Sequence, residues 1–94
     1  MRVEWLRAAL KNLDDEAAYI AQSNPRAAAT FVDTLLADIA QLARFPTMGR
    51  EGRLPGTREW VMRNHPYLIP YRIRQDRLQV LRIFHTSRQP PSNW

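Results

Sequence analysis

Four side chains near the C-terminus have types that could do phosphoryl chemistry together: Arg82, His85, Arg88 and Trp94. A pair of guanidinium groups grips a phosphate through forked hydrogen bonds. An imidazole exchanges a proton near neutral pH, and an indole stacks on a nucleobase. The same four could instead hold an acidic protein surface with no bond made or broken. His85 also has the strand parity of the core, which allows a packed, structural imidazole. His65 precedes Pro66 in a turn and reads as structural. Neither histidine has a third metal ligand beside it, so no metal site is expected. Gly49, Gly52 and Gly56 fit neither a phosphate loop nor a dinucleotide fingerprint. Ser23, Ser87 and Ser92 lack a His/Asp pattern, and no cofactor is expected.

Charge points to the class of partner. The net charge of +5 hides a split between the two halves of the 94-residue chain. Residues 1–43 carry four basic and six acidic side chains, a net −2, whereas residues 44–94 carry ten and three, a net +7. Thirteen of the fourteen basic residues are Arg, the side chain that forks to phosphate and carboxylate and stacks on flat rings. An anionic partner follows: nucleic acid, an acidic protein segment, or both. The absence of cysteine excludes disulfide stapling and thiolate chemistry. The apolar runs are too short to span a bilayer, and the N-terminus has no apolar signal core. The expectation is a single domain over 1–94, in the cytoplasm, with no membrane partner.

The elements that must position these residues come in two blocks. All eleven alanines precede residue 44, and all three glycines and six of the seven prolines follow it. Leu6, Leu10, Leu13, Ala17 and Ile20 form one amphipathic stripe, with Asp14, Asp15 and Glu16 turned mostly to solvent. Asn24 then caps a second helix with Pro25 at its first position, and Ala28, Phe31, Leu35, Ile39 and Leu42 repeat the stripe. The short connection makes an antiparallel helix hairpin. Arg2–Trp5 alternates as a short strand, and Thr47 to Gly56 reads as a loop. Runs at 58–64, 67–74 and 78–84 form an antiparallel meander, with hairpin connections at Asn64-His65-Pro66 and Gln75-Asp76-Arg77. Pro70 implies a bulge or an unpaired side. The fold class is α+β.

Period 2 sorts the meander into two faces. Trp60, Met62, Tyr67, Ile69, Tyr71, Ile73, Leu81 and Ile83 should pack on the helices. Val61, Arg63, Leu68, Arg72, Arg74, Val80, Arg82 and Phe84 form the other face. A surface mixing Arg with exposed apolar groups suits an acidic, amphipathic segment. The set expected to bind a target or a partner segment is Arg63, Arg72, Arg74, Arg82, Phe84 and Arg88.

The ordered segments VEW, NP, FPTMGREG, GTREW, YLIPYR and LRIFHTSR span nearly the whole chain and resemble the RelE/ParE superfamily. These are the toxins of type II toxin–antitoxin modules, also called plasmid stabilisation proteins. The resemblance implies two helices on an antiparallel sheet, and an antitoxin whose disordered tail folds on the toxin in a hetero-oligomer. RelE-like members cut mRNA at the ribosome, whereas ParE-like members poison DNA gyrase. Leu68 stands where RelE places a catalytic Arg, and Lys11 is the only lysine. Arg88 falls at a catalytic Arg and Trp94 near a catalytic Tyr, although an indole has no phenolic proton to exchange. Arg50, Arg53, Arg58 and Arg63 could replace the missing lysines. The helix hairpin followed by FPTMGREG and GTREW is closer to ParE. The expected function is gyrase inhibition by binding, with no catalytic residue. Two alternatives stand beside it: an mRNA endonuclease using Arg82, His85, Arg88 and Trp94, and a non-toxic antitoxin-binding relative. A free-standing DNA-binding protein fits less well, for no helix is basic enough to enter a groove.

Overall fold

The computed structural model describes residues 1–88. In chain order the elements are β1 (Arg2–Trp5), α1 (Arg7–Ala21), α2 (Pro25–Arg44), β2 (Arg50–Glu51), β3 (Arg58–Val61), β4 (Tyr67–Arg74), β5 (Arg77–Val80) and β6 (Phe84–His85). The sheet order is β1-β5-β4-β3-β2, with β6 beside the start of β4. The β3–β4–β5 meander is antiparallel, as its turn chemistry implies. Two additions complete it. β1 lies parallel to β5, making the sheet mixed, and β2 forms inside the expected loop as an edge strand on β3. No helix among the described residues is long and apolar enough to cross a membrane.

Local chemistry explains α2 fully. Asn24 Oδ1 accepts the Ala27 N–H at 3.0 Å, and Pro25 needs no donor in the first turn. Arg44 sits in the last turn, where cations complement the helix dipole. Ala28, Phe31, Leu35, Ile39 and Leu42 are its buried residues, the stripe read from the sequence.

The buried stripe of α1 is displaced by about one position. Leu6 is the N-cap rather than a helical residue, and Leu10 is 47% exposed, whereas Ala9 and Glu16 are buried. Apolar groups at both 9 and 10, and again at 13 and 17, define two overlapping stripes. Burial of Glu16 selects between them, because its partners lie under that face of the helix.

The face assignment of the last strands also needs correction. Val80 stands opposite Tyr71, and Leu78 opposite Ile73, so both share the helix face, and both are fully buried. Val80 therefore belongs to the core, not to the outer face. Residues 81–83 run between β5 and β6 outside the ladder, so a parity counted straight through them slips. Leu68 and Phe84 do lie on the outer face, opposite each other, but they are only 5% and 8% exposed. Phe84 is thus not an exposed docking residue. Ile73, placed on the inner face, is 41% exposed at the end of β4.

Pro70 fits its central strand for a related reason. A strand residue's N–H and C=O point toward the same neighbour. Its carbonyl accepts the Leu81 N–H at 3.0 Å, so the missing donor faces the segment that has left the ladder. Tyr71, fully buried, fastens the FPTMGREG segment to the sheet: its hydroxyl donates to the Pro46 carbonyl at 2.7 Å and accepts the Gly49 N–H at 3.0 Å. A Cβ at Gly49 would stand 2.5 Å from that hydroxyl, so the motif's first glycine is a close-approach residue.

Candidate functional site

Of the residues expected to do chemistry, Arg88 and His85 both lie against Tyr67, and Arg82 lies apart. Arg88 reaches back to α1, where its Nη2 pairs with the carboxylate of buried Glu16. Tyr67 donates its hydroxyl to the same Oε1 at 2.8 Å, and Arg88 Nη2 lies 3.4 Å from that hydroxyl. The guanidinium carbon of Arg88 also sits 4.0 Å from the centroid of the Tyr19 ring. A buried carboxylate thus has its charge neutralised and both neighbours positioned, as burial of an ion requires. Burial pushes the Tyr67 phenol up to about 12, with the hydrogen bond and charge of Glu16 adding to the effect. Tyr67 is consequently a neutral hydrogen-bond donor at physiological pH and no proton source for catalysis.

His85 is held in a similar way. Its Nδ1 accepts the backbone N–H of Ser87 at 3.1 Å and of Arg88 at 2.9 Å, closing the turn after β6. Its ring packs edge-on against Tyr67 at 5.2 Å, and Tyr67 in turn packs on Phe31 at 4.6 Å. His65 lies 5.8 Å from Phe31, in the structural place expected.

Arg82 is elsewhere. It borders a groove of about 380 Å³ with Leu6, Ala8, Leu54, Pro55, Thr57, Arg72 and Leu81. That groove abuts the start of α1, whereas Arg88 contacts Glu16 and Tyr19. Eight residues of helix separate Ala8 from Glu16, roughly 12 Å of rise. Arg82 and Arg88 therefore do not converge, and Trp94 lies outside the described residues. Arg63 follows β3 at one end of the sheet, and Arg74 ends β4 at the other.

Of the expected binding set, Arg72 and Arg82 come together on this groove. Arg72 is oriented by its neighbours: its Nε donates to Gln79 Oε1 at 2.6 Å, and Gln79 Nε2 donates to Glu4 Oε1 at 2.5 Å. Glu59, also buried, accepts from the Arg53 N–H at 3.1 Å and from Arg50 Nη2 at 3.3 Å, pinning the β2–β3 loop above this face. Sequence reasoning missed Glu16, Tyr19, Glu4 and Gln79. A signal existed for Glu16 alone: it lies three residues after Leu13 and four before Ile20, on the stripe itself. Among the described residues no group of His, Asp or Glu could hold a metal ion.

Comparison with known proteins gives consistent matches. The family described as "ParE toxin of type II toxin-antitoxin system, parDE" matches residues 3–90. A curated relative from Sinorhizobium fredii (strain NBRC 101917 / NGR234), "Putative toxin Y4kP", is 41% identical over 90 residues, covering 96% of this chain and 93% of its own. The solved structure titled "Chromosomal ParDE TA system from P. aeruginosa" superposes with a TM-score of 0.82 at 25% identity, covering 90% of this chain and 95% of that one. The toxin–antitoxin complex RelBE2 from Mycobacterium tuberculosis gives a TM-score of 0.57 at 26% identity, covering 89% and 95%.

Proposed function

We propose that this chain, which belongs to the ParE toxin family of type II toxin–antitoxin systems, arrests growth by binding DNA gyrase rather than by cutting RNA. The observation that carries the choice is the engagement of Arg88 by buried Glu16. A guanidinium already paired with a buried carboxylate is poorly placed to take up a phosphate, and the Nδ1 of His85 already accepts two backbone N–H groups. The partner that restrains the toxin is an antitoxin segment, acidic and amphipathic, folding on the surface in a hetero-oligomer. The groove between Leu54, Pro55, Leu81 and the two guanidinium groups of Arg72 and Arg82 has the mixed chemistry such a segment needs. The site of action is the cytoplasm.

The decisive experiment titrates antitoxin-free protein into a gyrase supercoiling reaction on relaxed plasmid. Inhibition with accumulating linear DNA, reversed by the antitoxin, is expected. Normal supercoiling at a large excess of folded protein would overturn the reading. The RelBE2 likeness favours a second reading, ribosome-dependent mRNA cleavage. It requires Arg88 to leave Glu16, and it predicts that His85→Ala abolishes toxicity while leaving antitoxin affinity intact.

A further inference from the structure

The outer face of the sheet carries one row that neither the core nor the groove explains. Arg2 of β1 stands directly beside Arg77 of β5, and Arg77 directly beside Arg74 of β4. Side chains of paired residues project to the same side, so three guanidinium stems rise from one rung across three adjacent strands. All three residues are exposed. Among the described residues one carboxylate serves the rung: Glu4 Oε2 lies 3.6 Å from Arg77 Nη1, and Gln79 already holds the other oxygen of Glu4. Neither Arg2 nor Arg74 has an ion-pair partner among the described residues. The next rung, Glu4–Gln79–Arg72, adds a fourth cation.

Like charges placed directly opposite destabilise a sheet. The register cannot relax to separate them, because β4 and β5 join through the two-residue turn Gln75–Asp76, which makes Arg74 and Arg77 its closing pair. We propose that the Arg2–Arg77–Arg74 rung, extended by Arg72, is a binding strip for the phosphodiester backbone of a nucleic acid. Strands about 4.8 Å apart set three forked donors in a line. A chain of phosphates supplies what that line lacks: several fixed, closely spaced oxyanions with two acceptors each. The paired residues of the rung are all Arg, whereas the groove beside Leu54 is also lined by Leu6, Pro55 and Leu81. Contacts of this type position a nucleic acid without reading its sequence, which agrees with the absence of a basic recognition helix among the described residues. The proposal rests on the gyrase reading only in making duplex DNA the first ligand tested.

The test measures binding of the full chain to a short labelled DNA duplex, and to a single-stranded RNA of the same sequence, by fluorescence anisotropy across salt concentrations. Arg2→Gln/Arg74→Gln/Arg77→Gln is compared with Arg7→Gln/Lys11→Gln/Arg26→Gln, which removes the same charge from exposed positions around the helices. Loss of three phosphate contacts predicts that, between about 50 and 200 mM salt, wild-type affinity for the duplex falls about 40-fold more than that of the rung variant. The helix variant should keep the wild-type slope. Tighter binding of either nucleic acid identifies which polymer supplies the phosphates. Equal slopes for the two variants would overturn the proposal, as would equal binding of a poly-glutamate peptide. The rung variant should melt no lower than wild type at low salt, and a lower melting temperature would overturn the reading of the row as repulsive. Wild-type protein that binds DNA through the rung but leaves gyrase active would sink the gyrase reading and keep this one.

Discussion

Glu16 shows how a single buried carboxylate can reassign the residues around it. It anchors Arg88, and by accepting the Tyr67 hydroxyl it adds to the effect of burial in holding that phenol's proton. Removing one partner of a buried pair leaves the other uncompensated, whereas removing both can be nearly neutral. Arg88→Met is therefore expected to destabilise the fold by about 1–3 kcal/mol, discounted because its side chain is 33% exposed. Glu16→Gln in the same chain should recover most of that loss. Denaturant unfolding of the two single variants and the double variant checks this, and strict additivity would contradict it. The phenol of Tyr67 gives a pH signature. Its folded value of about 12 stands above the ordinary 10.0, so the native state holds that proton more tightly than the unfolded chain does. The resulting stability is complete below pH 10 and is lost as pH rises through 12. Wild type should lose its stability relative to Tyr67→Phe across that window, as unfolding midpoints at a series of pH values would show. A constant difference would place the hydroxyl in water.

At the scale of elements, the connections carry more specification than the strands. The β4–β5 turn holds Gln75 at φ 52° and Asp76 at φ 60°, the left-handed pair of a two-residue hairpin that Asn-Gly satisfies best. A glutamine there carries backbone strain. Gln75→Asn/Asp76→Gly is expected to stabilise the protein by about 1 kcal/mol with the register of Arg74 and Arg77 preserved, measured by thermal unfolding. No gain would mean the turn is unstrained. The FPTMGREG segment and the meander depend on each other in the same way. Tyr71 ties Pro46 and Gly49 to β4, and Arg58 donates to the Gly49 carbonyl at 2.9 Å, so the loop after α2 is built against a strand it does not adjoin in sequence.

For the molecule as a whole, the helices that carry Asp14, Asp15, Asp33 and Asp38 pack on one side of the sheet, and Arg2, Arg72, Arg74 and Arg77 project from the other. That concentration of guanidinium groups on the outer face stays available to an anionic partner. If the groove beside Leu54 receives the antitoxin, Arg82→Glu should weaken that complex by about 10-fold or more, since a repulsive charge then faces an acidic segment. The variant should leave the melting temperature of the free toxin within a degree or two. Titration calorimetry with the antitoxin is the check, and unchanged affinity would move the partner off this surface. The local patterns in the sequence were sufficient for α2, its cap, the first two meander strands and the α+β class, because a period of 3.6 or 2 and the residues that punctuate it act over a few positions, while the family was carried by the resemblance of the ordered segments from VEW to LRIFHTSR. They could not choose between the overlapping stripes of α1, place β1 parallel to β5, bury Phe84 and Val80, or bring Arg2 beside Arg77. Each of those depends on partners far along the chain, such as Glu16 and Arg88 at a separation of 72 residues, and local periodicity holds no record of a contact that forms only when the whole core closes.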